Sequence, residues 1–167
     1  MLRRLLPQKL PIVIEPAQTD DLEAIVAIEQ RSYSFPWARK VLQAEINGKT
    51  FAHVYVARLP QNSGSPASKL IGYHYFWLVA DEIHILNIAV DPDYQGCGCG
   101  KQLLQFALDF GQARGAASAF LEVRASNDAA QQLYKACGFQ RIGIRKQYYA
   151  DNNEDAYVMK KQLDGEI

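Results

Sequence analysis

Residues 95–101, Gln95-Gly96-Cys97-Gly98-Cys99-Gly100-Lys101, set three glycines at alternate positions where a strand pattern gives way to a helix pattern. Glycine adopts backbone angles that other residues avoid, and its missing side chain lets a ligand approach the chain closely. N–H groups gathered at a helix start attract anions, phosphates above all. The loop lacks the Gly-Lys-Ser/Thr ending that places Mg²⁺ beside ATP, and its glycine spacing departs from the dinucleotide fingerprint. A phosphate-bearing ligand held without a metal fits best; a glycine turn with no ligand is the plainer alternative. Cys97 and Cys99 have no second Cys or His pair at zinc spacing, and His53, His74 and His84 fall on separate strands, so no metal is expected. At a helix start the two thiols are expected to have lowered pKa values.

Along Phe120-Leu121-Glu122-Val123-Arg124, alternation puts Phe120, Glu122 and Arg124 on one face and Leu121 and Val123 on the other. A carboxylate in mid-strand is costly if buried without a partner. Either Glu122 pairs with Arg124 or another cation, or it takes part in chemistry. Aromatic residues cluster twice: Tyr33, Phe35 and Trp37 around Pro36, and Tyr148-Tyr149 just before Asp151, Glu154 and Asp155. Phe35 and Trp37 are expected to pack, and Tyr33 with the tyrosine pair to contact a substrate. The acidic residues read first as a solvated hairpin tip, second as an attraction for a basic peptide.

The elements that position these residues alternate between strand and helix. Strand patterns run over 12–15, 51–59, 70–79, 83–90, 119–124, 141–149 and 156–163, and helical spacing over 20–32, 38–46, 101–114 and from 127 to the Cys137-Gly138 stop. Several antiparallel strands and one β-loop-α-β crossover imply an α/β (α+β) fold, a mixed, mostly antiparallel sheet of about seven strands with helices on both faces. The 167 residues suit a single domain, with residues 1–10 expected to be flexible. Eighteen basic side chains balance eighteen acidic ones, which argues against direct nucleic acid binding. No membrane span or export signal is read, and three cysteines make a poor disulfide framework, so the chain is expected to be cytoplasmic.

Gln95-x-x-Gly98-x-Gly100 resembles the Q/R-x-x-G-x-G/A signature of the GNAT superfamily of N-acetyltransferases. Asn87-Ile88-Ala89-Val90-Asp91-Pro92, Leu121-Glu122-Val123-Arg124-Ala125-Ser126-Asn127, Leu133-Tyr134 and Gly138-Phe139 are similar to its RimI branch, the bacterial ribosomal-protein alanine N-acetyltransferases. So are residues 29–37 and 145–149. The resemblance covers nearly the whole chain and implies acetyl-CoA as donor. Ile88, Ala89 and Val90 would pair with its pantetheine arm. Gln95, Gly96, Cys97, Gly98, Cys99, Gly100 and Lys101 would surround its diphosphate, and Asn127 would touch it from the next helix. It implies Glu122 as general base, Tyr134 as general acid, and Tyr33, Tyr148 and Tyr149 as acceptor-binding residues. The partner implied is the N-terminal peptide of a small-subunit ribosomal protein. Two departures stand out: the loop cysteines replace the more usual Arg or Leu, and Ala150 replaces a frequent Pro.

Proton arithmetic favours such an acceptor. Freeing an α-amine of pKa near 7.7 at pH 7 costs about 1 kcal/mol, whereas a lysine near 10.4 costs roughly 4.6 kcal/mol. A single carboxylate acting through water suits the easier case. Broader N-termini, lysine side chains or a small amine remain as alternative acceptors, and a non-catalytic acetyl-CoA-binding module is the alternative of another class.

Overall fold

The computed structural model describes residues 9–61 and 68–163, and the seven strands form one sheet in the order β1-β2-β3-β4-β5-β7-β6. The elements are β1 (Val13–Pro16), α1 (Leu22–Ser32), α2 (Arg39–Ile46), β2 (Ala52–Arg58), β3 (Leu70–Val79) and β4 (Glu82–Val90). After them come α3 (Cys99–Gln112), β5 (Ser118–Arg124), α4 (Asp128–Ala136), β6 (Gln140–Arg145) and β7 (Ala156–Gln162). Every element expected from the sequence is present, and most bounds differ by a residue or two. The largest difference is β6, expected to run to 149: Gln147 has φ +49°, which ends extended pairing before the tyrosine pair. Of the N-terminal segment expected to be flexible, residues 1–8 lie outside the described residues. Leu10 is buried, and its N–H donates to the Cys97 carbonyl at 3.0 Å.

By compactness the described residues divide into two units, one drawn from 9–75 and 87–106, the other from 76–86 and 107–163. In the first, β3 is buried on both faces, because its residues alternate between two sets of partners. Tyr73 and Tyr75 point to α1 and α2, where Tyr73 donates to Glu29 and Tyr75 to the Leu42 carbonyl at 3.2 Å. Gly72 and His74 point to α3. A Cβ on Gly72 would stand 3.2 Å from a Leu103 methyl, and His74 Nδ1 lies 3.2 Å from the Leu103 carbonyl. One core cluster of this unit joins Leu10, Ala57, Ile71, Cys97, Cys99 and Leu103.

In the second unit, residues 82–85 of β4 run parallel to 118–121 of β5, in the register His84 to Phe120. Strand β5 pairs antiparallel with β7 along its whole length, from Ser118↔Gln162 to Arg124↔Ala156. Strand β6 adds to β7 with an irregularity between Arg141 and Gly143. Gly111 lets α3 lie directly over β4, since a Cβ there would come within 2.2 Å of the Ile83 side chain.

Candidate active site

The first unit supplies a strand, a loop and a helix start in succession. Asp91 N–H donates to the Ile71 carbonyl at 2.7 Å, so the backbone groups of Asp91 and, by alternation, Ala89 face β3. Those of Ile88 and Val90 face the other edge. Side chains meet their carbonyls there. Tyr33 Oη donates to Ile88 O, and Gln95 Nε2 donates to Val90 O at 3.1 Å. Arg31 adds an ion pair to Asp91 at 3.0 Å.

The glycine loop is open where a ligand would need it. Gly96 and Gly98 both sit near φ +78°, a region that side-chain-bearing residues rarely adopt. A Cβ at Gly96 would meet nothing within 4 Å, so the loop surface there is free to receive a ligand. The α3 ladder first closes when Gln102 N–H donates to Gly98 O at 3.0 Å. The N–H groups of Cys99, Gly100 and Lys101 precede it and carry the positive end of the helix dipole. The segment before β1 pins the loop, because Leu10 takes a bond from Gln102 Nε2 at 2.9 Å as well as donating to Cys97.

The expectation of a lowered thiol pKa fails at Cys99. Cys97 and Cys99 are both buried in the core cluster, and burial pushes the Cys99 thiol up to about 12. Their sulfurs turn inward, so their backbone lines the loop and their side chains do not.

Sequence reasoning did not single out Glu29, which is 1% exposed on α1. Its carboxylate accepts Trp37 N–H at 2.8 Å, Asn87 Nδ2 at 2.9 Å and the Tyr73 hydroxyl. Burial raises its pKa against the lowering effect of the bonds from Trp37 and Asn87. The signal was available: Leu22, Ile25 and Glu29 share one helical stripe, so an acid stands where the core needs an apolar side chain. Trp37 packs edge-on against Tyr75 with ring centroids 5.9 Å apart, as expected, whereas Phe35 is exposed.

The second unit holds the other candidates. Glu122 is 30% exposed, and its partner is Arg145, with Nε 3.3 Å from Oε1, rather than Arg124. Leu121 and Val123 are buried on the opposite face, as alternation requires. Tyr134 lies on α4, half-buried, edge-on to Phe139 at 5.9 Å. Burial raises its pKa, with Tyr149 and Cys137 adding to the shift, so the phenol holds its proton at neutral pH. Tyr149 is pushed up to about 12, chiefly by burial, against the pull of Arg124 and with Glu122 adding to the rise. Tyr148 stands edge-on to Tyr149 at 5.1 Å and is 47% exposed. Asn127 caps α4, its Oδ1 accepting Ala130 N–H at 3.1 Å.

Arg124 lies under this group, its guanidinium carbon 3.8 Å from the Tyr149 ring centroid. Asp151 grips it at 2.5 and 3.1 Å, and Glu154 stands 3.5 Å away. The acidic residues after the tyrosine pair thus serve the loop itself. Glu154 accepts Ser126 N–H at 2.7 Å, and Asp155 accepts Gln147 N–H at 2.9 Å. Among the described residues no three His, Cys, Asp or Glu side chains gather as a metal cluster would need, and no helix is long and apolar enough to cross a membrane.

Residues 22–139 match the model of the acetyltransferase (GNAT) family. The chain belongs to that family. Within it, the GNAT chain is 41% identical over 148 residues to the [ribosomal protein bS18]-alanine N-acetyltransferase of Escherichia coli strain K12, spanning 87% of this chain and 94% of that one. The crystal structure of the Escherichia coli ribosomal-protein alanine N-acetyltransferase superposes with TM-score 0.80 at 36% identity, over 94% of this chain and 97% of that one. Arabidopsis thaliana NAA60 in complex with acetyl-CoA superposes with TM-score 0.82 over 93% of this chain and all of that one; at 20% identity this shows the shared GNAT fold.

Proposed function

We propose that this GNAT enzyme transfers the acetyl group of acetyl-CoA to the N-terminal α-amine of alanine on a small-subunit ribosomal protein. The observation that carries the acceptor is the 41% identity, over nearly the full length of both chains, to an enzyme named for that reaction. The loop geometry supports the donor: two glycines at positive φ, open space at Gly96, and a helix start behind them suit a diphosphate bound without a metal.

Bound there, acetyl-CoA supplies an activated acyl thioester, and the chain's own groups do the rest. Backbone amides of residues 96–101 hold the diphosphate, and the Ile88 and Val90 edge of β4 aligns the pantetheine arm. Glu122, through a water, takes the proton from the acceptor ammonium, leaving a neutral amine to attack the thioester carbon. A main-chain N–H of residues 87–90 receives the charge that develops on the carbonyl oxygen. As the tetrahedral intermediate collapses and the C–S bond breaks, Tyr134 gives its proton to the departing sulfur, and the surplus proton on the new amide nitrogen leaves through water, which restores the tyrosine. Burial raises its pKa, so the phenol is protonated when the thiolate forms, although the same shift makes it a weaker acid. Tyr33 of the first unit and, separately, Tyr148 and Tyr149 of the second are the residues that contact the acceptor peptide.

The test is incubation with acetyl-CoA and a peptide bearing the acceptor's alanine N-terminus, with the acetyl group located by mass spectrometry. Acetyl on the α-amine is expected; an unmodified terminus, or acetyl on lysine or a polyamine in preference, overturns the reading.

A further inference from the structure

Glu29 has no part in the proton transfers above, yet a carboxylate at its depth is expensive to bury, and well-packed apolar residues often serve stability as well as a buried polar or ionic group does. Its two oxygens divide the work: Oε1 takes the Trp37 N–H, and Oε2 takes Asn87 Nδ2 and the Tyr73 hydroxyl. Tyr73 and Asn87 belong to β3 and β4, neighbours in the sheet, whose backbones are held by the ladder. Trp37 belongs to the stretch between α1 and α2, where neither a ladder nor a helix supports the chain. Loss of the carboxylate therefore bears mainly on that loop. The loop begins at Tyr33, whose hydroxyl rests on the Ile88 carbonyl.

We propose that Glu29 is a positioning residue: it clamps the 33–38 loop to residues 87–90 of β4 and so sets how tightly the acceptor peptide is held, touching neither substrate. The inference rests on the reading of this loop as contacting the acceptor peptide.

Glu29→Gln tests it at nearly constant volume. In either orientation the amide NH₂ faces a group that now donates, so at least one of the three bonds is lost or rearranged. The acceptor KM is expected to rise about tenfold, the scale of one hydrogen bond to a charged group. The acetyl-CoA Kd, measured by calorimetry without acceptor, is expected to stay unchanged. An unchanged acceptor KM overturns the proposal, and so does a donor Kd that weakens in step, which would mark a general loosening of the fold. Hydrogen exchange at the Trp37 amide of the wild-type protein decides the same point if the variant does not fold. Slow exchange is expected, and exchange at the open-chain rate overturns the clamp. Wild-type protein that acetylates no peptide overturns the functional reading instead, an outcome the exchange rate separates from failure of the clamp.

Discussion

Acidification should loosen the helix that begins at the glycine loop, and His74 shows why. The imidazole is fully buried between β3 and α3, its Nδ1 3.2 Å from the Leu103 carbonyl, and burial lowers its pKa to about 3. An unfolded histidine titrates near 6.5. Between those values the unfolded chain binds a proton that the native protein refuses, so stability is complete above pH ~6.5 and falls as pH drops. The slope is about 1.4 kcal/mol per pH unit, giving a loss of about 2 kcal/mol at pH 5. Ordinary carboxylates titrate near 4 and contribute little in that window. Urea unfolding followed by circular dichroism at pH 7 and pH 5 should show a midpoint shift of about 1 M. His74→Gln keeps a donor for the Leu103 carbonyl but has nothing to protonate, so its two curves should lie much closer together. His53 and His84 are present in both proteins, and the difference therefore isolates His74. If wild type and variant lose the same stability on acidification, the assignment of the acid sensitivity to this buried ring is wrong.

Three further outcomes follow from the candidate site. Glu122→Gln should lower the acetyl-transfer rate at pH 7 by about 100-fold or more, and the gap should narrow toward pH 9 as the amine of pKa near 7.7 loses its proton unaided; a full rate at pH 7 would remove Glu122 as base. Tyr134→Phe keeps the ring against Phe139 and removes the phenol proton, so CoA thiol release, followed with a thiol reagent, should slow by more than about tenfold at unchanged acetyl-CoA affinity. Gly96→Ala adds a methyl that touches nothing but forces alanine to φ +79°, a strain of about 1–2 kcal/mol. Calorimetry should show it as weaker acetyl-CoA binding or a lower unfolding midpoint, and a change in neither would mean that the loop does not need its left-handed turn.

Local pattern determined a great deal about this protein. Apolar periodicity, together with β-branched runs and with cap, glycine and proline signals, located the seven strands and four helices described, because all of these are read from neighbours in the chain. Alternation also separated Leu121 and Val123 from Glu122 onto opposite faces, and the three alternate glycines marked the turn into α3. What pattern does not carry is which distant group each polar side chain meets. Arg145 rather than Arg124 pairs with Glu122 because β6 and β5 share β7 as a neighbour, an arrangement that brings together strands far apart in the chain. The Cys99 thiol pKa was expected to be lowered by the helix start, and burial in the core raises it instead. Glu29 acquires its partners only when β3, β4 and the loop after α1 come around it. Solvation and partner choice are decided by chain segments far apart in sequence, so they are fixed only when the whole sheet assembles.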